Sequence, residues 1–373
     1  MSQNSDATQA SNIFINNQVL QTPIDNSSSL DPAALAFHKR LPGYAPTPLL
    51  PLRRLAAEIG VREILLKDES ARFNLPSYKI LGASWACYRV VTAHLNLSPT
   101  INLYEIKRIT EGGLTTFFAA SNGNHGRAVA RMATLFGVQA VVCVPVSLDS
   151  YTKATITGAS GVVLDVDGNW DAVIRYTALR AEAEGGLMIQ DTSWDGYEKI
   201  PALIVQGYST IFRELEDEFP HGLTANDVVI VPVGMGLLAH TAVLNCKNRP
   251  NGPRIVAVEP EAAACLNISL ERGERVGIIT KPTIMTDLSC GTISQSAWND
   301  LKNYIDISLT ITDQQAHEAV QYLSACDINT GPSGAACIAA ARVLAAEGLI
   351  NKGSTIIMIN SEGRRPYDTS GVS

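Results

Sequence analysis

The sequence has few of the features that place a protein in a membrane, on a nucleic acid or around a metal ion. No apolar run reaches the roughly 18 residues that a membrane-spanning helix needs, and the N-terminus lacks the basic and then apolar pattern of a secretory signal. Seven cysteines show no C-x-x-C spacing and six histidines do not cluster, which argues against a zinc site or a disulfide framework. The net charge of −7 disfavours nucleic acid. We therefore expect a cytoplasmic protein without a metal, a membrane or a nucleic-acid partner.

Length and composition indicate a globular protein of more than one domain. The chain has 373 residues, of which 46% are hydrophobic and 17% charged. That length fits two domains, or one domain with a large insertion. Residues 1–35 are rich in Ser, Asn, Gln and Asp, a composition that predicts a flexible or loosely docked leader.

Beyond the leader, short apolar segments alternate with segments of helical character. We predict strands at 63–67, 116–120, 140–146, 161–166, 187–190, 227–233, 254–258 and 355–359. We predict helices at 80–95, 126–136, 151–157, 171–184, 199–219 and 237–246. This alternation is typical of an α/β fold whose mostly parallel sheets are covered by helices on both faces.

Two candidate segments stand in the first half of the chain. Lys79 follows the proline-containing loop 74–78 and precedes an apolar helix, where an amine could act as a nucleophile for an aldehyde. Taken alone, an ordinary solvated lysine is the better interpretation. Residues 121–126 (SNGNHG) join a buried strand to a helix, so their backbone N–H groups could bind a carboxylate or phosphate. An ordinary capped turn explains that segment equally well.

Two further candidate segments stand in the second half. Residues 234–238 (GMGLL) follow the apolar strand 228–233 and open a helix, a layout that suits a phosphate. With two glycines they are not a dinucleotide fingerprint. Residues 360–363 (NSEG) follow the last strand, and a hydroxyl there could meet a heteroaromatic nitrogen, although a capped turn is the simpler interpretation of this segment alone.

In this order and at these intervals, the four segments resemble the fold-type-II, or tryptophan-synthase-β-like, pyridoxal-phosphate enzymes. Within that group, residues from about 38 to 365 resemble the diaminopropionate ammonia-lyases. The stretch from Asp191 to Tyr197 is a feature that general serine/threonine dehydratases lack. Other matching segments lie at 42–49, 67–73, 190–201, 258–260, 284–291 and 333–335.

The resemblance implies a cofactor, pyridoxal 5′-phosphate, and a role for each site residue. Lys79 would hold the cofactor as a Schiff base and, once displaced, act as the base at Cα of the substrate. Asn124 would bond the phenolic oxygen, and Ser361 would face the pyridine nitrogen. Asp191 would serve the substrate's amino groups as acid, base or charge partner. The phosphate would be held by Gly234, Met235, Gly236, Leu237 and Leu238, and the substrate carboxylate by Ser121, Asn122, Gly123 and His125.

The implied reaction is α,β-elimination of ammonia from a small amino acid, with 2,3-diaminopropionate as leading substrate, in a homodimer. Two residues depart from the resemblance: Asn122 and Pro332 stand where the family has Asp and Glu. These departures leave a dehydratase or a β-replacement synthase as alternatives. A non-catalytic binder of the cofactor is a third, but mere binding would not require Asp191.

The resemblance also implies two three-layer α/β/α domains. The larger would contain residues 36–85 and 187–373, the smaller would be the inserted stretch 86–186, and the cofactor would lie between them. Cys265 and Cys290 match family cysteines and could pair, although reduced thiols are expected in the cytoplasm. Lys67 and Asp68, at the end of a strand, predict a structural ion pair.

Overall fold

The computed structural model describes residues 12–27, 29–113 and 115–372. Within these residues the strands are β1 (Ile13–Ile15), β2 (Leu49–Pro51), β3 (Glu63–Asp68), β4 (Thr116–Ala120), β5 (Gln139–Pro145), β6 (Val162–Val166), β7 (Leu187–Met188), β8 (Val228–Pro232), β9 (Arg254–Pro260), β10 (Ile307–Ile311) and β11 (Thr355–Asn360). The helices are α1 (Ala33–His38), α2 (Arg53–Ile59), α3 (Lys79–His94), α4 (Leu103–Thr110), α5 (Asn124–Phe136), α6 (Ser150–Gly158), α7 (Trp170–Ala183), α8 (Lys199–Glu218), α9 (Leu237–Cys246), α10 (Cys265–Arg272), α11 (Gln295–Tyr304), α12 (Asp313–Ser324) and α13 (Pro332–Ala346).

The strands form two sheets. The seven-stranded sheet has the order β1-β10-β9-β8-β11-β3-β2, in which the five central strands are parallel and both edge strands are antiparallel. The four-stranded sheet has the order β6-β5-β4-β7 and is parallel throughout. Parallel pairing requires a crossover connection between strands, which is why helices separate most strands along the chain.

Helices cover the seven-stranded sheet on both faces, as its sequence pattern predicts. Along β11, Ile356 and Met358 pack into one hydrophobic cluster with α2, α12 and α13. Ile357 and Ile359 point to the opposite face and pack with α3, α8 and α9. Because alternate side chains of a strand face opposite sides, an all-apolar strand requires this double cover. The predicted α/β fold with mostly parallel sheets is confirmed.

The four-stranded sheet carries α5 and α6 on one face and α7 on the other. Helix α3 packs against both α5 and α8 and so connects the two sheets. The predicted boundary between residues 85 and 86 falls inside this helix, and strand β7, just after the boundary at 186, pairs with β4. The division into two domains stays a prediction.

Part of the predicted leader is docked rather than flexible. Strand β1 pairs with β10 at the edge of the large sheet. The side chain of Asn16 donates to the carbonyls of Lys302 and Ile305, both at 3.0 Å. The apolar Ile13 and Phe14 explain the docking, because they pack on the clusters that flank this sheet. Residues 1–11 of the predicted leader lie outside the described residues.

The predicted ion pair between Lys67 and Asp68 is wrong. The Lys67 ammonium lies 2.7 Å from Glu214, whereas the Asp68 carboxylate accepts from Asn360 Nδ2 at 2.8 Å. Adjacent residues of a strand point to opposite faces, so these two side chains separate.

Within the described residues, no helix is both long and apolar enough to cross a membrane.

Candidate active site

A cleft lies at the carboxyl ends of β4, β8 and β11, where the loops that follow these strands converge. This edge is where parallel α/β sheets commonly bind small molecules. The cleft gathers every sequence-predicted site residue: Lys79, Ser121, Asn122, Gly123, Asn124, His125, Asp191, Gly234, Met235, Gly236, Leu237, Leu238 and Ser361. Residues far apart in the sequence therefore meet in one place.

Lys79 is the first residue of α3 and points into the cleft. Its Nζ lies 2.8 Å from Asp191 Oδ2, and the side chains of the two residues are 18% and 4% exposed. The preceding loop is fixed to the opposite wall, because Ser77 Oγ donates to the carbonyl of Ser361 at 3.0 Å. The loop thus sets the position of the lysine relative to Ser361.

The electrostatics of this pair favour two ionised partners. Burial alone would lower the pKa of Lys79, but the Asp191 carboxylate raises it well above its ordinary value. Burial likewise would raise the pKa of Asp191, and the neighbouring His125 and Lys79 bring it below its ordinary value. The lysine therefore keeps its proton for as long as Asp191 is its partner.

Asp191 is held rigidly by its neighbours in the chain. Gln190 Nε2 donates to Asp191 Oδ1 at 3.2 Å, while Gln190 Oε1 accepts from the Ala120 amide at 2.9 Å. The backbone N–H of Gln190 donates to the Tyr197 hydroxyl at 3.0 Å. The ring of Tyr197 stacks on Trp194 at 4.3 Å between centroids. These two aromatic residues do not line the cleft but support the segment that carries Asp191.

The loop 121–126 is held by its own side chains. Ser121 Oγ accepts from the amides of Gly123 and Gly126, at 2.9 and 2.8 Å. Gly123 has a φ of 146°, a conformation that side chains disfavour. A Cβ at Gly126 would lie 2.8 Å from Ser121 Cβ, so both glycines are required by the shape of the turn. Asn122 lines the cleft beside them.

His125 connects this loop to Asp191. Its Nε2 bonds the carbonyl of Ile189 at 2.8 Å, and since a carbonyl only accepts, Nε2 carries a proton. Its Nδ1 lies 3.8 Å from Asp191 Oδ2 and has no hydrogen-bond partner among the described residues. The second ring nitrogen is therefore available to a group that enters the cleft.

The glycine loop ends at the first turn of α9. Gly236, with a φ of 90°, is the residue before the helix, and no side chain in the described part of the chain caps the helix. The first backbone N–H groups of α9 are thus left for an anion, which the helix dipole also favours. Ser361 lines the same cavity as residues 234–238.

Although Pro332 stands where the family has Glu, a carboxylate, that of Glu362, lies beside it. Pro332 is the first residue of α13, and Glu362 Oε1 accepts from the next amide, that of Ser333, at 2.9 Å. Glu362 is 1% exposed. Burial, and then the charge of Asp287, raise its pKa, while Arg365 lowers it, to give a pKa of about 7.

Further residues that line the cleft had no predicted site role, among them Tyr78, Asp287, Ser289 and Cys290. Tyr78 adjoins Lys79 in the sequence, and that adjacency was the available signal. The other three lie in the loop around the short helical turn Thr286–Leu288; the family resemblance includes this segment but implies no role for these three side chains. Cys290 and Cys265 are both free thiols.

Comparisons with known proteins agree with this geometry. The profile of the family described as pyridoxal-phosphate dependent enzyme matches residues 40–362. The chain belongs to this family. It is 31% identical to the diaminopropionate ammonia-lyase of Escherichia coli K12, over 95% of this chain and 92% of that one. It is 32% identical to the Salmonella typhimurium enzyme of the same name, over 78% of this chain and 74% of that one.

Solved structures give the same result. The holo diaminopropionate ammonia-lyase of Escherichia coli superposes with a TM-score of 0.84 at 28% identity, over 94% of this chain and 93% of that one. Tomato threonine deaminase shares the fold, with a TM-score of 0.75 at 21% identity, over 96% of this chain and 95% of that one. The predicted resemblance and the predicted cofactor are both confirmed.

The residues of the cleft fit pyridoxal phosphate. A primary amine, an uncapped helix start and a hydroxyl line one cavity, and these match the cofactor's aldehyde, phosphate and ring nitrogen in chemical type. Among the described residues there is no group of His, Cys, Asp and Glu that could hold a metal ion.

Proposed function

We propose that this protein catalyses α,β-elimination of 2,3-diaminopropionate. The balanced reaction consumes one water and gives pyruvate and two molecules of ammonia. The observation that carries the proposal is the buried contact of 2.8 Å between Lys79 and Asp191, beside the loop 121–126, in a chain with diaminopropionate ammonia-lyase relatives.

Bound pyridoxal phosphate withdraws electrons from the amino acid and acidifies its Cα–H. Lys79 would hold the cofactor, with the N–H groups of residues 234–238 on the phosphate, Asn124 on the phenolic oxygen and Ser361 on the ring nitrogen. The Ser361 hydroxyl is neutral and does not stabilise a protonated ring nitrogen as a carboxylate would. That arrangement favours prompt loss of the β-substituent.

The proton transfers would use the Lys79–Asp191 pair. A substrate with two ammonium groups competes with Lys79 for Asp191, which weakens the hold of the carboxylate on the lysine's proton. The freed amine of Lys79 then removes the Cα proton. Asp191 holds the positive charge of the β-amino group, so nitrogen leaves as ammonia after protonation rather than as an unstable anion. The loop 121–126 would orient the substrate carboxylate.

The test is an assay of pyruvate and ammonia from L-2,3-diaminopropionate, together with the absorption spectrum of the purified protein. We expect both products from the wild type. Lys79→Ala should lose the cofactor's absorption band and all turnover. Asp191→Asn should keep the band and lose about 10²–10⁴-fold in kcat, the range of a general acid or base. Asp195→Asn, an exposed change in the same segment, is the matched control and should behave as wild type. A kcat for Asp191→Asn equal to that of the wild type would contradict the role assigned to Asp191.

The departure at Asn122 supports a second candidate, a serine/threonine-type dehydratase or a β-replacement synthase with an altered substrate. The L-threonine ammonia-lyase of Thermotoga maritima is 27% identical over 72% of this chain and 59% of that one. The same assay separates the candidates. Absorption without product from diaminopropionate, but with product from L-serine or L-threonine, would select the dehydratase. Product only after a nucleophile is added would select the synthase.

We also propose that the protein works as a homodimer in the cytoplasm and divides into the two domains given above. The homodimer follows from the family resemblance, and light scattering on a sizing column tests it. A mass near twice the 39.9 kDa of one chain is the expected result.

A further inference from the structure

Asp287 is a carboxylate in the cleft that the proposed function does not use. It lies in the turn Thr286–Leu288 and lines both cavities that make up the cleft. Its side chain is 16% exposed. A charge so placed needs a partner, and the partners show what it does.

The nearest partner of Asp287 is Asn124. Asn124 Nδ2 donates to Asp287 Oδ2 at 2.5 Å. The carboxylate only accepts, so this contact fixes the orientation of the amide, with the nitrogen toward Asp287. The amide nitrogen has two N–H bonds, and Asp287 uses one of them. The other N–H is therefore held in a definite direction.

Asp287 is itself fixed from the opposite side. Arg365 Nη1 lies 3.9 Å from Asp287 Oδ1, and Arg365 Nε lies 3.7 Å from Glu362 Oε2. The guanidinium also donates to the side chain of Thr286 and, at 3.3 Å, to the carbonyl of Ile284. Arg365 thus lies within ion-pair distance of the Asp287 carboxylate and hydrogen-bonds both the turn, through Thr286, and the segment before it, through Ile284.

The turn also packs against the glycine loop. A Cβ built on Gly234 would lie 3.0 Å from the carbonyl oxygen of Asp287. The same residue therefore touches the segment proposed for the phosphate with its backbone and Asn124 with its side chain.

We propose that Asp287 is a positioning residue that orients the Asn124 amide toward the phenolic oxygen of the cofactor. A carboxylate that recognised only the substrate would have its acceptor atoms free, whereas here one oxygen is committed to Asn124. The proposal rests on the proposed role of Asn124, and the experiment separates the two.

The experiment is a double-mutant cycle on Asn124→Ala and Asp287→Ala. Its readouts are the dissociation constant of pyridoxal phosphate, from titration of the cofactor-free protein, and the pH midpoint of the bound cofactor's absorption. Each single change should weaken binding about tenfold or less, the value of one net hydrogen bond, and shift the midpoint in the same direction. If Asp287 acts through Asn124, the double variant should resemble Asn124→Ala alone.

Two further variants guard against indirect effects. Asp287→Asn keeps an oxygen that accepts from Asn124 and should restore most of the wild-type midpoint. Asp313→Asn is the matched control, because Asp313 holds the start of the same loop through the Ile284 amide at 3.1 Å. It should lower the thermal midpoint of unfolding without moving the absorption midpoint.

The outcomes are distinct. No spectral change in Asn124→Ala overturns the proposed role of Asn124, and with it the premise of this inference. A change in Asn124→Ala with none in Asp287→Ala overturns the inference alone, as do additive effects in the double variant. A normal spectrum in Asp287→Ala with a raised KM for diaminopropionate would instead make Asp287 a substrate contact.

Discussion

We expect Glu214→Gln to destabilise the protein by about 3–5 kcal/mol, the usual cost of breaking a buried ion pair from one side. Glu214, on α8, accepts from Arg72 Nη1 and Lys67 Nζ, both at 2.7 Å, and from Arg72 Nη2 at 2.8 Å. Arg72 also pairs with Glu69 at 2.7 Å. The four side chains are at most 3% exposed. The glutamine keeps the shape but leaves one buried positive charge without a partner.

The magnitude is large relative to the whole stability of a protein, which is about 5–15 kcal/mol. At about 2 °C per kcal/mol for a large chain, the thermal midpoint should fall by about 6–10 °C. The loss should also reach the active site. Glu69 and Arg72 begin the loop that ends at Lys79, and Phe73 and Asn74 in that loop have φ values of 53° and 61°. A loop with a strained backbone depends on its anchors.

Differential scanning calorimetry at neutral pH measures the change. Glu216→Gln is the matched control, because Glu216 is on the same helix and pairs with Arg213 at 2.8 Å on the surface. Such exposed pairs contribute about 0–1 kcal/mol. A thermal midpoint for Glu214→Gln within 2 °C of the control value, at about 2 °C per kcal/mol, would refute the reasoning.

The stability of the wild type and that of Glu214→Gln should also depend differently on pH. Burial raises the pKa of Glu214, but Arg72 and then Lys67 lower it below its ordinary value of 4.5. A carboxylate whose pKa is depressed in the folded state stabilises the protein at pH values above its ordinary pKa, and that stabilisation is lost as the pH falls. Between pH 7 and acid, wild type should therefore lose more stability than Glu214→Gln.

Three further predictions concern the cleft. The resemblance implies that the carboxylate which the family has at position 122 handles the D-enantiomer. Asn122 cannot take a proton, so D-2,3-diaminopropionate should react far more slowly than the L-form; comparable rates for the two enantiomers would exclude this. The pKa of Glu362 is raised from 4.5 to about 7, so the free energy of unfolding should fall by about 3 kcal/mol as the pH rises between those values. In urea unfolding, Glu362→Gln should lack that fall. Gly236→Ala places a Cβ 2.8 Å from Leu301 Cδ1 at a φ of 90° and should weaken cofactor binding, whereas Gly273→Ala, at a φ of 70° in open space, should affect only stability.

Much of the fold follows from local sequence. Predicted and observed bounds coincide for β4 and α9 and differ by a residue or two for β3, β5, β8 and α8. These elements are continuous apolar runs or long amphipathic helices, for which periodicity is a strong signal. Strands β1, β2 and β10 were missed. β1 and β2 have only three residues each, and β10 carries Ser and Thr within its apolar run.

The cleft was predictable for a different reason. Lys79, the loop 121–126 and the loop 234–238 are each weak signals when taken alone, but their order along the chain matched a family. Parallel strands then bring their carboxyl ends to one edge of a sheet, so loops distant in the sequence converge. Topology accounts for the convergence of the loops that follow β8 and β11 of the seven-stranded sheet, whereas the loop 121–126 follows β4 of the other sheet and joins them through the packing of the two sheets.

Asp287 shows where such prediction ends. Its partner Asn124 is 163 positions away, and Arg365 follows the last strand. The intervals from Asp287 to these two residues follow no helical or strand period, and the turn that carries Asp287 has no periodic sequence pattern. The loop that carries Asn124 follows β4 of the four-stranded sheet, and the turn that carries Asp287 lies between β9 and β10 of the seven-stranded sheet. The two meet because both line one cleft. Local patterns therefore identify the groups that each strand presents, but the contacts between loops of different sheets, which orient those groups, depend on how the sheets pack.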